Sequence, residues 1–210
     1  MPAWSQSGRV PEETNESLNQ RSEVRTSKRQ YNAFMSKVII GRPEAGEYAE
    51  AFGGYVGKVP GADILTFLKK QLDTTLTLIR SIDESRGNFR YEPGKWSIKE
   101  LLGHLVDSER VFAYRALVFA RNDVSPLPGF DQNPWNENSN YNNLSVAEIA
   151  AEFEAVRRST ILLFEHLDHS AWERQGIANN KPMTTRAAAF VIGGHVQHHL
   201  DVLNSRYLNK

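Results

Sequence analysis

Four stretches after residue 60 place apolar side chains at spacings of three and four, and each predicts a helix of roughly twenty residues. The first runs from about Asp63 to about Ile82, with Ile64, Leu65, Leu68, Leu72, Leu76 and Ile79 on one stripe. The second starts at Ser97 and fades near Asn122, through Leu101, Leu105, Val111, Phe112 and Leu117. Ser97 and Glu100 read as a capping box, and Trp96 and Leu101 stand at the two hydrophobic-staple positions. The third repeats that signature with Ser145, Glu148 and a Leu144–Ile149 staple, and runs to about His166. The fourth starts at Thr184 or Thr185 and reaches about Tyr207 through Ala188, Val191, Ile192, Val202 and Leu203. No segment alternates with period two. Four amphipathic helices with one apolar face each have one simple packing, an all-α four-helix bundle.

The pattern fails in three places. Residues 1–34 hold few apolar side chains; the first thirty contain only Met1, Ala3, Trp4, Val10, Leu18 and Val24. Such a segment cannot bury enough surface to offset the entropy of ordering it, so a disordered or loosely attached tail is expected. The functional chain is expected to begin near Met35, as a single domain over 35–210 with an arm at 35–60 and the bundle at 61–210. The arm is rich in Gly, with Tyr48, Phe52 and Tyr55, and reads as an extended segment pinned by its aromatics. Its GGYVG run lacks the GK[ST] of a phosphate loop. Residues 122–143 form the third gap, with seven Asn, three Pro, Gly129, Phe130, Trp135 and Tyr141. A loop that long and that aromatic is expected to be packed over something.

Composition narrows the function. The 210 residues carry 25 basic and 25 acidic side chains, so the basic excess of a dedicated nucleic-acid binder is missing. There is no Cys, hence no disulfide framework, thiolate metal site or cysteine nucleophile from this chain. This fits a cytoplasmic, reducing location. No apolar run approaches the ~20 residues of a membrane span, and no secretory h-region marks the first residues.

Three of the six His fall in one short run, His195, His198 and His199. Residues i and i+4 on a helix stand about 40° apart and roughly 6 Å along the axis. His195 and His199 can therefore offer two imidazoles to one ion, and they share the apolar side with Val191, Ile192 and Val202. His104 lies on the second helix on the face of Leu101, Ser108 and Val111. Three neutral imidazoles converging from two helices would make a facial site with open positions, suited to Zn²⁺, Ni²⁺ or Fe²⁺. The competing reading is three core histidines with satisfied hydrogen bonds.

The neighbours of these residues stay open to more than one role. His198 is read as rim or as an outer support for a ligand. His166 and His169 are read as charges placed at the C-terminus of the third helix. Asp107 either orients a ligand imidazole, acts as a base, or pairs with Arg110 or a cation of another helix. Glu109 is read as structural and Trp96 as helix-entry packing. Arg115, about three turns past His104 on the same face, either binds an anionic substrate or forms a buried ion pair with another helix.

The run PGKWSIKELLGHLVDSERVFAYRALVFARND, the later LPGFDQ and the final AAAFVIGGHVQHHL together resemble the DinB/YfiT superfamily of metal-dependent proteins. The similarity covers about Met35 to Tyr207. It implies an up-down-down-up bundle in place of the simple up-down order, and a metal triad on His104, His195 and His199. It also implies a homodimer, a divalent metal such as Zn²⁺ or Ni²⁺, and a small-molecule substrate, with neither nucleic acid nor membrane as partner. Relatives with assigned activities include low-molecular-weight-thiol S-transferases and a mycothiol-dependent isomerase.

Two function classes follow. One is a metalloenzyme that transfers a low-molecular-weight thiol to an electrophile, or hydrolyses a substrate with Asp107 as catalytic base. The other is a non-catalytic bundle binding a metal or small molecule. An open coordination position facing a cavity would separate the first from the second; a closed site with four protein ligands would favour a structural role.

Overall fold

The computed structural model describes residues 40–208; the expected tail at 1–34 lies outside them. Where an extended arm was expected, Glu50–Phe52 form a 3₁₀ turn and Gly53–Lys58 a short helix, α1. Three glycines in six residues are poor helix formers, so this helix depends on tertiary contact. The fourth bundle helix supplies that contact. Arg42 completes the end of α1 by donating to the Val56 carbonyl at 2.9 Å, the Gly61 carbonyl at 2.7 Å and the Val59 carbonyl.

The four predicted helices form close to the expected limits. Helix α2 spans Ile64–Arg80 with Asp63 as its cap, and α3 spans Ile98–Ala120. Within the long connection, Gln132–Glu137 make a short helix, α4, and Tyr141–Asn143 a 3₁₀ turn. Helix α5 covers Val146–Glu165, and a five-residue helix α6 follows at His169–Glu173. Both capping boxes form: the Ser97 and Ser145 hydroxyls accept from the Glu100 and Glu148 amides, and each Glu reaches back. Helix α7 covers Thr185–Val202 and continues as a π-helical turn over Leu203–Leu208.

One element escaped the period-two search. Gln175–Ala178 (β1) and Lys181–Thr184 (β2) pair antiparallel, Gln175 opposite Thr184 and Ala178 opposite Lys181. Asn179 and Asn180 join them with φ of 52° and 58°, the two left-handed positions a tight hairpin needs. Leu127 of the long connection bridges to this hairpin, its amide donating to Ile177 at 2.9 Å and its carbonyl accepting from Asn179 at 3.0 Å.

The extensive helix contacts run α2–α5, α5–α3, α3–α7 and α7–α2. Helices successive in the chain, α2 with α3 and α5 with α7, therefore face each other across the diagonal. This is the up-down-down-up order. Helices α3 and α5 run parallel, so the chain must travel back along the full length of α3, roughly 34 Å for its 23 residues. That return explains why residues 121–145 are long, and why they lie against the bundle rather than looping away from it.

The centre of the bundle is charged. Arg157 and Glu109 are both buried and pair twice, Nε to Oε1 at 2.7 Å and Nη2 to Oε2 at 2.8 Å. Arg157 Nη1 also donates to Gln71 Oε1 at 2.9 Å, and Gln71 Nε2 donates to the Gly193 carbonyl at 2.9 Å. One chain of hydrogen bonds thus joins α3, α5, α2 and α7. The reading of Glu109 as structural agrees with this, although its partner could not be named from spacing. Among the described residues no helix is long and apolar enough to cross a membrane.

Candidate metal centre

His104 sits two turns into α3, and His195 and His199 sit one turn apart near the end of α7. Because α3 and α7 pack along each other, the three rings meet. His195 Nε2 lies 3.0 Å from His104 Nε2 and 3.1 Å from His199 Nε2. The three donor atoms lie within 4.8 Å of one another, and no fourth His, Asp or Glu among the described residues joins them. His104 and His195 are buried, His199 partly so.

This arrangement is poor as a hydrogen-bond network. Each neutral imidazole has one N–H, and the buried Nδ1 of His199 has no partner at all. Ser108 Oγ lies 3.3 Å from His104 Nδ1 and 3.4 Å from its Nε2, so it flanks the ring without selecting a tautomer. Tetrahedral Zn–N bonds of about 2.0–2.1 Å set their donors roughly 3.3 Å apart, close to the spacing here. The residues present fit a divalent ion.

Burial holds all three rings neutral. It pushes His104 down to about 4 and His199 to about 3, the latter helped by the neighbouring His104 and His198. His195 is also pushed well below the usual histidine range by burial, then by the facing imidazoles. The unfolded chain takes up these protons first as pH falls below about 6.5. Stability from this source is full above that value and drains away through the folded values. The metal-free protein is expected to lose about 2 kcal/mol between pH 7.5 and 6.0, measured by urea unfolding after chelator treatment. A flat profile over that interval would contradict three buried neutral rings.

The wall around the triad comes from segments the periodicity did not assign. The Tyr55 ring of α1 stands edge-on to His195, centroids 5.3 Å apart, and also touches His198. A Cβ on Gly194 would meet the Tyr55 carbonyl oxygen at 1.8 Å, so only glycine permits this approach. Trp96 lies tilted against His104 at 4.8 Å, which joins helix-entry packing to support of a triad ring. His104 and His195 open onto a cavity of about 540 Å³ between α1, α3, the 129–133 segment and the hairpin turn. Tyr55, Trp96, Ser108 and Gly194 were missed as site residues. Only the close glycine pair before His195 offered a signal.

The remaining candidates divide. His198 packs on Tyr55 and His199 without joining the three nitrogens. His166 caps the end of α5, but His169 opens the separate helix α6, so the C-terminal charge reading does not apply to it. Both are exposed, and neither belongs to the cluster. Asp107 does not contact a triad ring. Its Oδ1 accepts from the Tyr141 hydroxyl at 3.0 Å and lies 3.4 Å from Arg110 Nη1, and burial together with Asp107 raises the Tyr141 pKa. Asp107 does share a small cavity with His104 and Asn136. The expected buried ion pair of Arg115 is absent among the described residues: its Nη2 donates to the Pro128 carbonyl at 2.9 Å instead.

Residues 68–203 match the sequence family described as the DinB superfamily. The chain belongs to that superfamily. A protein of Oceanobacillus iheyensis named “putative metal-dependent hydrolase” is 26% identical over 148 residues, which are 68% of this chain and 84% of that protein. The fold is also similar to YfiT from Bacillus subtilis, described as a probable metal-dependent hydrolase with an unusual four-helix bundle topology. That likeness has a TM-score of 0.60 and 16% identity, covering 70% of this chain and 85% of YfiT. As in other helical bundles, the three-histidine cluster of this chain is built from side chains that project inward from facing helices.

Proposed function

We propose that this chain is a divalent-metal-dependent enzyme acting on a small molecule, with His104, His195 and His199 as the ligands. The observation that carries the reading is the convergence of three ring nitrogens that cannot satisfy one another, at the wall of a cavity. Three donors rather than four favour a catalytic site over a closed structural one. When bound, a Zn²⁺ or Ni²⁺ ion supplies Lewis acidity and lowers the pKa of a water or thiol beside it.

The chain's own residues do the rest. Ser108 flanks the His104 ring, while Tyr55 and Trp96 hold the ring planes and exclude water from two sides. Asp107, in the cavity it shares with His104, is the carboxylate available to take a proton, and the Tyr141 hydroxyl orients it. Hydrolysis is the preferred reaction, because the Oceanobacillus relative carries that name. Transfer of a low-molecular-weight thiol rests on the sequence resemblance alone.

Elemental mass spectrometry of the purified protein tests the reading. About one divalent metal per chain is expected in wild type and in His169→Ala, and near none in His199→Ala. A wild type that stays metal-free after reconstitution with Zn²⁺ and with Ni²⁺ would overturn it.

A further inference from the structure

Among the described residues Arg115 has no counter-ion. The residue is 4% exposed, yet among the described residues its one hydrogen bond is to the neutral Pro128 carbonyl. A buried charge is costly unless paired, and a guanidinium cannot shed its proton to escape that cost. Two aromatic rings hold it, Phe112 with its centroid 5.1 Å from the guanidinium carbon and Phe130 at 5.9 Å. Of five N–H donors four are therefore unspent. No Arg115 nitrogen is among the sealed, partnerless polar atoms, so its spare donors face open space. Arg115 lines the same 540 Å³ cavity as His104 and His195, at the wall where that cavity meets a second groove under Phe130. At the cavity mouth Lys181 stands with Asp131, so the charged groups around it leave a positive excess.

We infer that Arg115 is an anion-binding residue, and that the substrate carries a carboxylate or phosphate group which docks on it while its reacting end faces the three histidines. This deepens the proposed function by naming the substrate class, and rests on it for the reacting end alone. The spacing sets the length. His104 and Arg115 are eleven residues apart on one helix, roughly 16 Å along the axis, and the long Arg side chain leans back toward the N-terminus. The anionic group and the reacting group are thus separated by several bonds, which excludes the smallest acids as substrates. The LPGFDQ segment gains a task here. Its Pro128 carbonyl and Phe130 ring hold the guanidinium.

Nitrogen-detected NMR of the Arg115 Nε–H signal, assigned by its loss in Arg115→Lys, provides the test. Succinate and inorganic phosphate are titrated separately into wild type, against sodium chloride at matched ionic strength. Both the chelator-treated and the Zn²⁺-loaded protein are used, with metal content measured for each. A saturable shift with one or both anions in each form is expected, and the two arms tell a planar from a tetrahedral ligand. Affinity, read by titration calorimetry in both proteins because the variant has no Arg115 signal, is expected to fall roughly tenfold or more in Arg115→Gln, whose Tm and metal content are recorded beside it. His199→Ala is expected to keep the shift while losing metal, which separates failure of this proposal from failure of the metal reading. No Arg115 shift in wild type would overturn the proposal. A response seen only with Zn²⁺ and surviving in Arg115→Gln would also overturn it, since the anion would then sit on the metal.

Discussion

Glu109→Leu is expected to destabilise the protein by about 3–5 kcal/mol. Glu109 and Arg157 have side chains 1% and 0% exposed, so neither can reach water when its partner goes. Removing the carboxylate strands a guanidinium at the centre of four helices. The cost is that of an unpaired buried charge, not the net value of the pair. A second substitution separates these. Arg157→Met on top of Glu109→Leu replaces the pair by apolar volume, and most of the lost stability is expected to return. Urea unfolding of the two single variants and the double variant measures the coupling. A double variant as unstable as the sum of the singles would refute this account of the pair.

The second large effect is expected from a single methyl group. In Gly194→Ala the new Cβ would lie 1.8 Å from the Tyr55 carbonyl oxygen and 2.4 Å from its carbonyl carbon. Backbone cannot rotate aside, so α1 must lift from α7, at a cost near the upper end of the usual overpacking range, about 3 kcal/mol. Lifting α1 also takes the Tyr55 ring from His195 and opens the cavity to water. Gly193→Ala provides the contrast, since its Cβ would meet side chains and no backbone, the edge of the Phe67 ring at 2.9 Å and Leu68 Cδ2 at 3.4 Å, which can shift. Hydrogen exchange is expected to rise across residues 50–58 in Gly194→Ala and to stay near wild type in Gly193→Ala. Equal exchange in both would show that α1 does not depend on this contact.

These two sites mark what periodicity can and cannot read. The helix limits were legible because Ser97 and Ser145 carry complete capping boxes, whose hydrogen bonds are local. The meeting of His104, His195 and His199 was legible because a one-turn spacing fixes two rings and an apolar stripe fixes the third. Helix α1 was not, because Gly53, Gly54 and Gly57 carry no helix signal and the segment is held by a surface distant in sequence. The Asn179–Asn180 hairpin was readable in principle, but four-residue strands leave almost no alternation to find. Nothing in the spacing marks Arg157, and only the bundle shows that it points inward. Arg115 was placed on the right face, with an anion and an ion pair as its two roles; the structure supplies the Pro128 carbonyl and removes the carboxylate partner.

The diagonal placement of successive helices has a kinetic consequence. In an up-down bundle two neighbouring helices can zip together as a hairpin soon after both are made. Here α2 and α3 have little to grip in each other, and their apolar faces wait for α5 and α7. Most of the packing is therefore between segments far apart along the chain, which raises contact order and slows the search for the native state. On the ribosome, α2 and α3 would emerge with their faces uncovered until α5 arrives, and the seam with α7, the helix carrying two of the three histidines, would close last.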